Sequence, residues 1–226
     1  MYNIETGVHW LSIMGSSPID EIEGEVMLGF YNYTVILTYI GMFVAFSGIT
    51  FVFNGDIQRA IGCLVIAGIC DMFDGKIAST RERTPQEKKF GIQIDSLSDL
   101  IAFGVLPSLL IYKLAQENRF SVFICGGYVL CALIRLAYFN VDEEERQSRT
   151  TECRKMYLGL PVTTVAIILP ILIGLSSYGN WSLEIIGPSV LVIIAIAFIT
   201  PFPVKKPTLF IGGAYAQKEE KQNHNV

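Results

Sequence analysis

The chain has 226 residues, of which 51% are hydrophobic and 17% charged, and its formal net charge is −4. Soluble domains average roughly a quarter charged residues, and here the charges lie between long apolar blocks. This pattern excludes an ordinary soluble enzyme and a disordered chain, and without a dense basic stripe it argues against nucleic-acid binding. The five cysteines form no CxxC pair, which argues against a disulfide framework or a zinc site.

The apolar blocks have the length that a membrane requires. A bilayer core about 30 Å thick needs about 20 apolar residues per helix. Six segments qualify, at residues 33–53, 57–74, 92–113, 120–139, 161–178 and 184–203. We therefore predict an all-α polytopic membrane protein with six transmembrane helices and a lipid bilayer as its surroundings.

Lysine and arginine concentrate on one side of these predicted spans. The loops between spans two and three and between spans four and five, together with the C-terminal tail, hold 13 of them, against three on the other side. Basic loops remain cytoplasmic. We therefore predict cytoplasmic N- and C-termini and an active site facing the cytoplasm, in the plasma membrane. The acidic run 142–145 is expected to be a solvated loop.

The two ends of the chain differ from its middle. Residues 1–26 lack lysine and arginine and carry five acidic residues, so we predict an N-terminal acidic extension without a catalytic role. Residues 27–207 form the predicted membrane domain, and residues 208–226 a polar C-terminal tail.

Four aspartates lie at the junction of spans two and three. Asp71 and Asp74 are three residues apart, and Asp95 and Asp99 are four apart, so each pair shares one helix face. The connecting loop brings the two faces together. Carboxylates crowded in a low dielectric need cations, and hard divalent ions prefer oxygen ligands. The pattern predicts Mg²⁺ or Mn²⁺, as one ion or a pair, bridging a substrate phosphate.

Two glycines flank these aspartates. Gly75 follows Asp74 directly, and Gly91 lies one turn before Asp95. Without a Cβ, each position would let a phosphorylated ligand approach the backbone closely. The alternative is close helix packing, which small residues favour in membranes.

The spacing Asp71-x-x-Asp74-Gly75-x-x-Ala78, followed by Gly91-x-x-x-Asp95-x-x-x-Asp99, resembles the signature of the CDP-alcohol phosphatidyltransferases. These are six-helix membrane enzymes that displace CMP from a CDP-linked lipid with an alcohol. Three further segments are similar to members whose alcohol is serine: Phe103–Pro107, Arg135–Asn140 and Gly159–Pro161.

The resemblance implies a reaction between CDP-diacylglycerol and L-serine that gives phosphatidylserine and CMP. It implies that Asp71, Asp74 and Asp95 bind the metal, and that Asp99 either binds it too or acts as the general base on the serine hydroxyl. Gly75, Gly91 and Ala78 would line the cytidine diphosphate site. A homodimer is a further expectation from the family.

Arg135 is an ionisable residue inside span four. Its guanidinium would bind a substrate phosphate or the serine carboxylate, with Asn140 assisting. The alternative is that the side chain extends to the membrane interface.

The chain departs from the family at one position. Arginine usually follows the motif alanine directly, whereas Ser79 follows Ala78 here. Either Arg81 or Arg83 would supply the missing charge, and we include Ser79 and Arg81 among the predicted substrate-binding residues. The spacing from Ser79 to Gly91 is also longer than usual.

Three other functions fit parts of the pattern. The acceptor alcohol could be glycerol 3-phosphate or inositol phosphate, although a phosphorylated acceptor should need a further basic pocket. A cation- or proton-coupled transporter could use the same aspartates, but transporters often have inverted repeats and none is visible. The change to Ser79 also fits an inactive relative.

Overall fold

The structure is a computed structural model that describes residues 29–78, 80–81, 83–149, 156–179 and 182–205. The chain divides into two units, Met1–Tyr31 and Asn32–Val226. Of the first unit, the structure describes residues 29–31. The predicted extension 1–26, the tail 208–226 and Ser79 lie outside the described residues.

Helices dominate the second unit. Its elements are α1 (Tyr33–Phe53), α2 (Ile57–Ala78), α3 (Pro85–Asp99), a π-helical turn (Leu100–Val105), α4 (Leu106–Leu114), α5 (Arg119–Arg149), β1 (Met156–Leu158), a 3₁₀ turn (Val162–Thr164), α6 (Val165–Gly179), α7 (Leu183–Ile199) and β2 (Pro203–Lys205). The all-α class is confirmed, and a ribbon of two three-residue strands is added to it.

Within the described ranges, four helical segments are long and apolar enough to cross a membrane: Tyr33–Phe53, Pro85–Leu114, Arg119–Glu145 and Val162–Gly179. The other two predicted spans are also helical. However, α2 carries charged residues near both ends, and α7 has 17 residues. The count of six spans therefore stays a prediction. Large apolar side chains such as Phe43 and Phe123 are exposed on the helix surfaces, as a lipid surrounding would require.

Helix α1 packs closely against α2 and also contacts α3. Small residues make the first contact possible. A Cβ added at Gly48 would lie 2.9 Å from Cβ of Cys63, and one added at Gly41 would lie 3.2 Å from Cβ of Cys70. Helices in membranes associate through such close contacts because lipid offers no hydrophobic driving force between them. Because α1 also contacts α3, this packing places α2 and α3 on the same helix α1.

The third predicted span is one long helix with a change of winding in the middle. A Thr84–Glu87 capping box starts α3, and Pro85 occupies its first turn. The π-helical turn begins directly after Asp99. Inside it, the carbonyl oxygen of Phe103 accepts a 2.6 Å hydrogen bond from the buried Tyr128 hydroxyl of α5. The carboxylate-bearing α3 is thereby fixed to the core.

The ribbon joins two distant parts of the chain. Strands β1 and β2 pair antiparallel, with Tyr157 opposite Val204. Gly159 follows β1 at φ +74°, and its N–H donates a 2.8 Å hydrogen bond to the carbonyl oxygen of Phe202. The loop before α6 is thereby bound to the segment after α7.

Candidate active site

The four predicted aspartates come together between α2 and α3. Carboxyl oxygens of Asp71, Asp95 and Asp99 all lie within 4.8 Å of one another. Asp74 is outside that group of three but is in side-chain contact with Asp95, and Asp71 is in contact with Asp99. The structure thus brings together the four aspartates that the helix spacing and the connection between α2 and α3 were expected to bring together, and their roles as ligands stay a prediction.

The aspartates share one small cleft with polar and apolar side chains of α1 and α3. Thr38 Oγ1 donates a 3.3 Å hydrogen bond to Asp74 Oδ2. Ser98 Oγ donates a 3.4 Å hydrogen bond to the Thr38 backbone oxygen. Phe103 contributes to the apolar part of the lining. We call this space the acidic cleft.

The charge of the acidic cleft is not balanced by protein cations in the part of the chain that the structure describes. There, no lysine or arginine forms an ion pair with any of the four aspartates. Like charges at this separation repel strongly in a low dielectric. Several carboxylate oxygens converging on one point are the donor set that Mg²⁺ and Mn²⁺ prefer, so the residues present fit a hard divalent ion.

The glycines of the motif have different surroundings. A Cβ added at Gly75 would meet nothing within 4 Å, so close packing does not explain this glycine among the described residues. A Cβ added at Gly91 would lie 3.1 Å from Nη1 of Arg83. Ala78 is the last residue of α2 and is half-buried. The open space at Gly75 leaves room for a ligand beside the aspartates.

Arg81 lies in the connection between α2 and α3. Its Nη2 is 3.7 Å from Oε1 of Glu87. Glu87 also accepts a 2.8 Å hydrogen bond from the Thr84 backbone N–H and another from the Asn32 side chain. The glutamate therefore joins the start of α3 to the residue before α1, and Arg81 adds to this junction.

Arg135 lines a second cleft, between α5 and the end of α7. It is 7% exposed, which argues against a side chain extended to the membrane interface. Its guanidinium carbon lies 4.5 Å from the ring centroid of Phe139. The cleft has a volume of about 330 Å³ and includes Phe198 and Thr200 from the other wall. We call it the arginine cleft.

Asn140 connects α5 to α3 and directly follows Phe139, which lines the arginine cleft. Its side-chain oxygen accepts a 2.6 Å hydrogen bond from Ser96 Oγ, and its Nδ2 donates a 3.1 Å hydrogen bond to Gln93. Ser96 directly follows Asp95. Asn140 thus helps to hold the helix that carries two of the four aspartates.

The hydrogen bonds that Thr38 forms with Asp74 and that Ser98 forms with Thr38 were not predicted from the sequence. The available signal was a hydroxyl side chain within an apolar span, a position where a polar group needs a partner. The position of Arg83 against Gly91 had no such signal, because it depends on the path of the connection between α2 and α3.

Several proteins whose names state an activity are similar to this chain over part of its length. A CDP-diacylglycerol–serine O-phosphatidyltransferase of Saccharomyces cerevisiae is 34% identical over 142 residues, which are 60% of this chain and 50% of that protein. A Helicobacter pylori protein of the same name is 30% identical over 141 residues, 62% of this chain and 56% of that protein.

An archaetidylserine synthase of Methanothermobacter thermautotrophicus is 33% identical over 148 residues, 64% of this chain and 60% of that protein. The chain thus spans between half and three fifths of the length of these relatives. No solved structure matches it.

The helices that hold the four aspartates, Arg135 and Asn140 all lie within one family model. That model, described as CDP-alcohol phosphatidyltransferase, matches residues 31–201. Because this match covers most of the chain and includes the complete acidic cleft, the chain belongs to the CDP-alcohol phosphatidyltransferase family.

Proposed function

We propose that this protein transfers the phosphatidyl group of CDP-diacylglycerol to L-serine and releases CMP. The observation that carries the proposal is the convergence of Asp71, Asp95 and Asp99 within 4.8 Å, with Asp74 beside them. The serine acceptor is supported by the names of the relatives, which are serine transferases or an archaetidylserine synthase.

The reaction exchanges one phosphorus–oxygen bond for another. The serine hydroxyl oxygen attacks the phosphorus that carries the diacylglycerol, and the bond from that phosphorus to the bridging oxygen of CMP breaks. CMP leaves with the electron pair of that bond. The serine hydroxyl proton goes to a carboxylate, and Asp99, which lines the acidic cleft with the other three aspartates, is our candidate for this base.

Asp71, Asp74, Asp95 and Asp99 would hold one or two Mg²⁺ or Mn²⁺ ions. When bound, such an ion neutralises the diphosphate and the charge that develops on the leaving CMP. By holding that ion, the four carboxylates would orient the diphosphate of the substrate. The open space at Gly75 would admit the nucleotide next to them. Ala78 and Gly91 complete the proposed nucleotide side of the cleft.

The arginine cleft is our candidate for the acceptor side. Asn140 holds α5 against α3 beside Asp95, so the segment with Arg135 lies close to the helix that bears the proposed base. Among the described lining residues, Arg135 supplies the one positive charge. A single guanidinium matches a carboxylate, whereas a phosphorylated acceptor should need more basic groups. This favours serine over glycerol 3-phosphate and inositol phosphate.

We further propose that the protein crosses the plasma membrane six times, with its termini and the acidic cleft on the cytoplasmic side. The bias of lysine and arginine towards one set of loops supports this orientation. A homodimer is proposed from the family alone. Single cysteines introduced at Lys89 and at Arg119 would test the orientation, because a membrane-impermeant thiol reagent applied to intact cells should label the second and not the first.

The central experiment measures CMP release by the purified full-length protein in detergent. CDP-diacylglycerol and Mn²⁺ are supplied with serine, glycerol 3-phosphate or inositol phosphate in parallel reactions. CMP release that requires serine supports the proposal. Release with another alcohol alone would overturn the serine assignment, and no release with any alcohol would overturn the transferase activity.

Asp99→Asn separates the two roles open to Asp99. If Asp99 is the base, the variant should lose turnover by about 100-fold or more while it keeps its Mn²⁺ affinity within a few-fold. A parallel loss of turnover and of Mn²⁺ affinity would make Asp99 a ligand instead. Equilibrium dialysis with Mn²⁺ provides the binding measurement.

A further inference from the structure

The connection between α2 and α3 carries two arginines with different surroundings. Arg81 is exposed and lies 3.7 Å from Glu87. Arg83 is half-buried, and within the described residues it forms no ion pair. The two guanidinium groups are therefore not equivalent, although they are two residues apart.

Arg81 is occupied by the junction at the start of α3. Its partner Glu87 is buried and is held in place by the Thr84 backbone and the Asn32 side chain. A carboxylate fixed by several donors offers Arg81 a stable counter-charge. Moving this guanidinium towards the acidic cleft would leave Glu87 without its positive neighbour.

Arg83 lies against Gly91, the one glycine of α3. Its Nη1 is 3.1 Å from the point that a Cβ at Gly91 would occupy. At that distance a larger residue would force the guanidinium to move, so glycine makes room for it. The guanidinium of Arg83 therefore packs on the surface of α3 at Gly91.

The contact between Arg83 and Gly91 lies next to the acidic cleft. Gly91 is four residues before Asp95, which places it on the same helix face and about 6 Å along the axis. Asp95 is one of the three aspartates whose oxygens converge. A phosphate held beside those aspartates would thus have a guanidinium within about one helical turn. Ser79, nearer to the cleft in sequence, has no charge to offer.

We propose that Arg83, and not Arg81, is the arginine that binds a phosphate of the nucleoside diphosphate substrate. This assignment rests on the proposed function. A guanidinium offers paired N–H donors that match two phosphate oxygens, and its half-buried position limits competition from water. Arg83 would act in ground-state binding of the nucleotide and would have little influence on the acceptor alcohol.

The test compares Arg83→Gln, Arg83→Lys and Arg81→Gln in the full-length protein. Titration calorimetry in detergent with Mn²⁺ gives the dissociation constant for CDP, and CMP release gives KM for CDP-diacylglycerol and for serine. Arg83→Gln should weaken CDP binding about 10- to 100-fold, the effect of one charge-assisted hydrogen-bonded contact. Arg83→Lys should recover part of this loss, and KM for serine should stay within about two-fold.

The matched control is Lys88→Gln, which removes one exposed positive charge from α3, the helix that Arg83 lies against. It should leave CDP binding within about two-fold of the wild type. The assignment to Arg83 is overturned if Arg83→Gln and Arg83→Lys both bind CDP as the wild type does, or if Arg81→Gln loses as much affinity as Arg83→Gln. If the wild type itself binds no CDP and releases no CMP, the proposed function fails, and the assignment fails with it.

Discussion

Thr38 and Asp74 are joined by a 3.3 Å hydrogen bond from Thr38 Oγ1 to Asp74 Oδ2. The bond links α1, which carries none of the four aspartates, to the carboxylate that lies outside the group of three. A neighbour that donates to a ligating carboxylate orients it, and the loss of such neighbours lowers metal affinity. Thr38 is therefore a positioning residue for the proposed metal site.

Replacement of Thr38 by valine keeps the shape of the side chain and removes the donor. We expect Mn²⁺ to bind about 10-fold more weakly to Thr38→Val, with a smaller change in thermal stability. Thr34→Val is the matched control, because Thr34 is also buried and lies one turn earlier on α1. Equal Mn²⁺ affinities for the two variants would contradict the positioning role.

The acidic cleft should itself be a source of instability when no divalent ion is bound. Asp95→Asn removes one of the crowded negative charges, so we expect the metal-free variant to melt at a higher temperature than the metal-free wild type. Mn²⁺ should raise the Tm of the wild type, because a ligand stabilises the state that binds it, and should have less effect on the variant.

Differential scanning fluorimetry with and without a chelator provides both comparisons. Glu144→Gln serves as the control for the removal of an exposed carboxylate that does not line the cleft, because Glu144 pairs with Lys89 instead. A chelator-treated Asp95→Asn variant that melts below the wild type would argue against strong repulsion within the cleft.

Gly159 is the residue at which a side chain should be most harmful to the arginine cleft. It has φ +74°, and an added Cβ would lie 3.1 Å from the Thr200 carbonyl oxygen. Thr200 is part of the arginine cleft. We expect Gly159→Ala to destabilise the protein by about 1–2 kcal/mol and to raise KM for serine.

Gly126→Ala is the control for this glycine. Gly126 lies within α5, and an added Cβ there would meet nothing within 4 Å, so alanine should be neutral or slightly stabilising. Thermal unfolding in detergent and serine saturation curves measure the two effects. Similar behaviour of the two variants would show that the ribbon does not shape the cleft.

The Tyr128 hydroxyl should matter to the helix that bears Asp99. Tyr128 is fully buried, and its hydroxyl donates to Phe103 within the π-helical turn. Tyr128→Phe should cost about 1–2 kcal/mol of unfolding free energy, because a buried carbonyl loses its donor. Chemical denaturation in detergent would measure this cost, with Tyr178→Phe, at a highly exposed position, as the control.

Much of the helical framework could be predicted because apolar blocks with polar ends determine it. The predicted span 33–53 coincides with α1, which lies between Asn32 and Asn54. Helix α3 begins seven residues before the predicted start at 92, since the Thr84–Glu87 capping box and Pro85 start a helix outside the apolar block. That signal was present in the sequence.

Two features needed the folded chain. The acidic run 142–145 was predicted as a loop, and this was wrong: α5 continues through it to Arg149, because glutamate and arginine are good helix formers. The four aspartates could be paired from their spacing alone. Spacing along one helix does not encode how separate segments meet. Two contacts depend on such a meeting, that of Thr38 with Asp74 and that of Arg83 with Gly91.

The π-helical turn Leu100–Val105 has a consequence for comparing this chain with its relatives. The N–H of Leu106 bonds to the carbonyl of Ile101, five residues earlier, so the turn accommodates one residue more than an α-helix of the same rise. A relative lacking that residue could continue in regular α-helix, with Asp95 and Asp99 facing the cleft and Leu106 and Leu110 still in the core. Alignments of the family should therefore place single-residue gaps after the last aspartate. A gap at that point keeps the aspartates facing the cleft and the leucines facing the core.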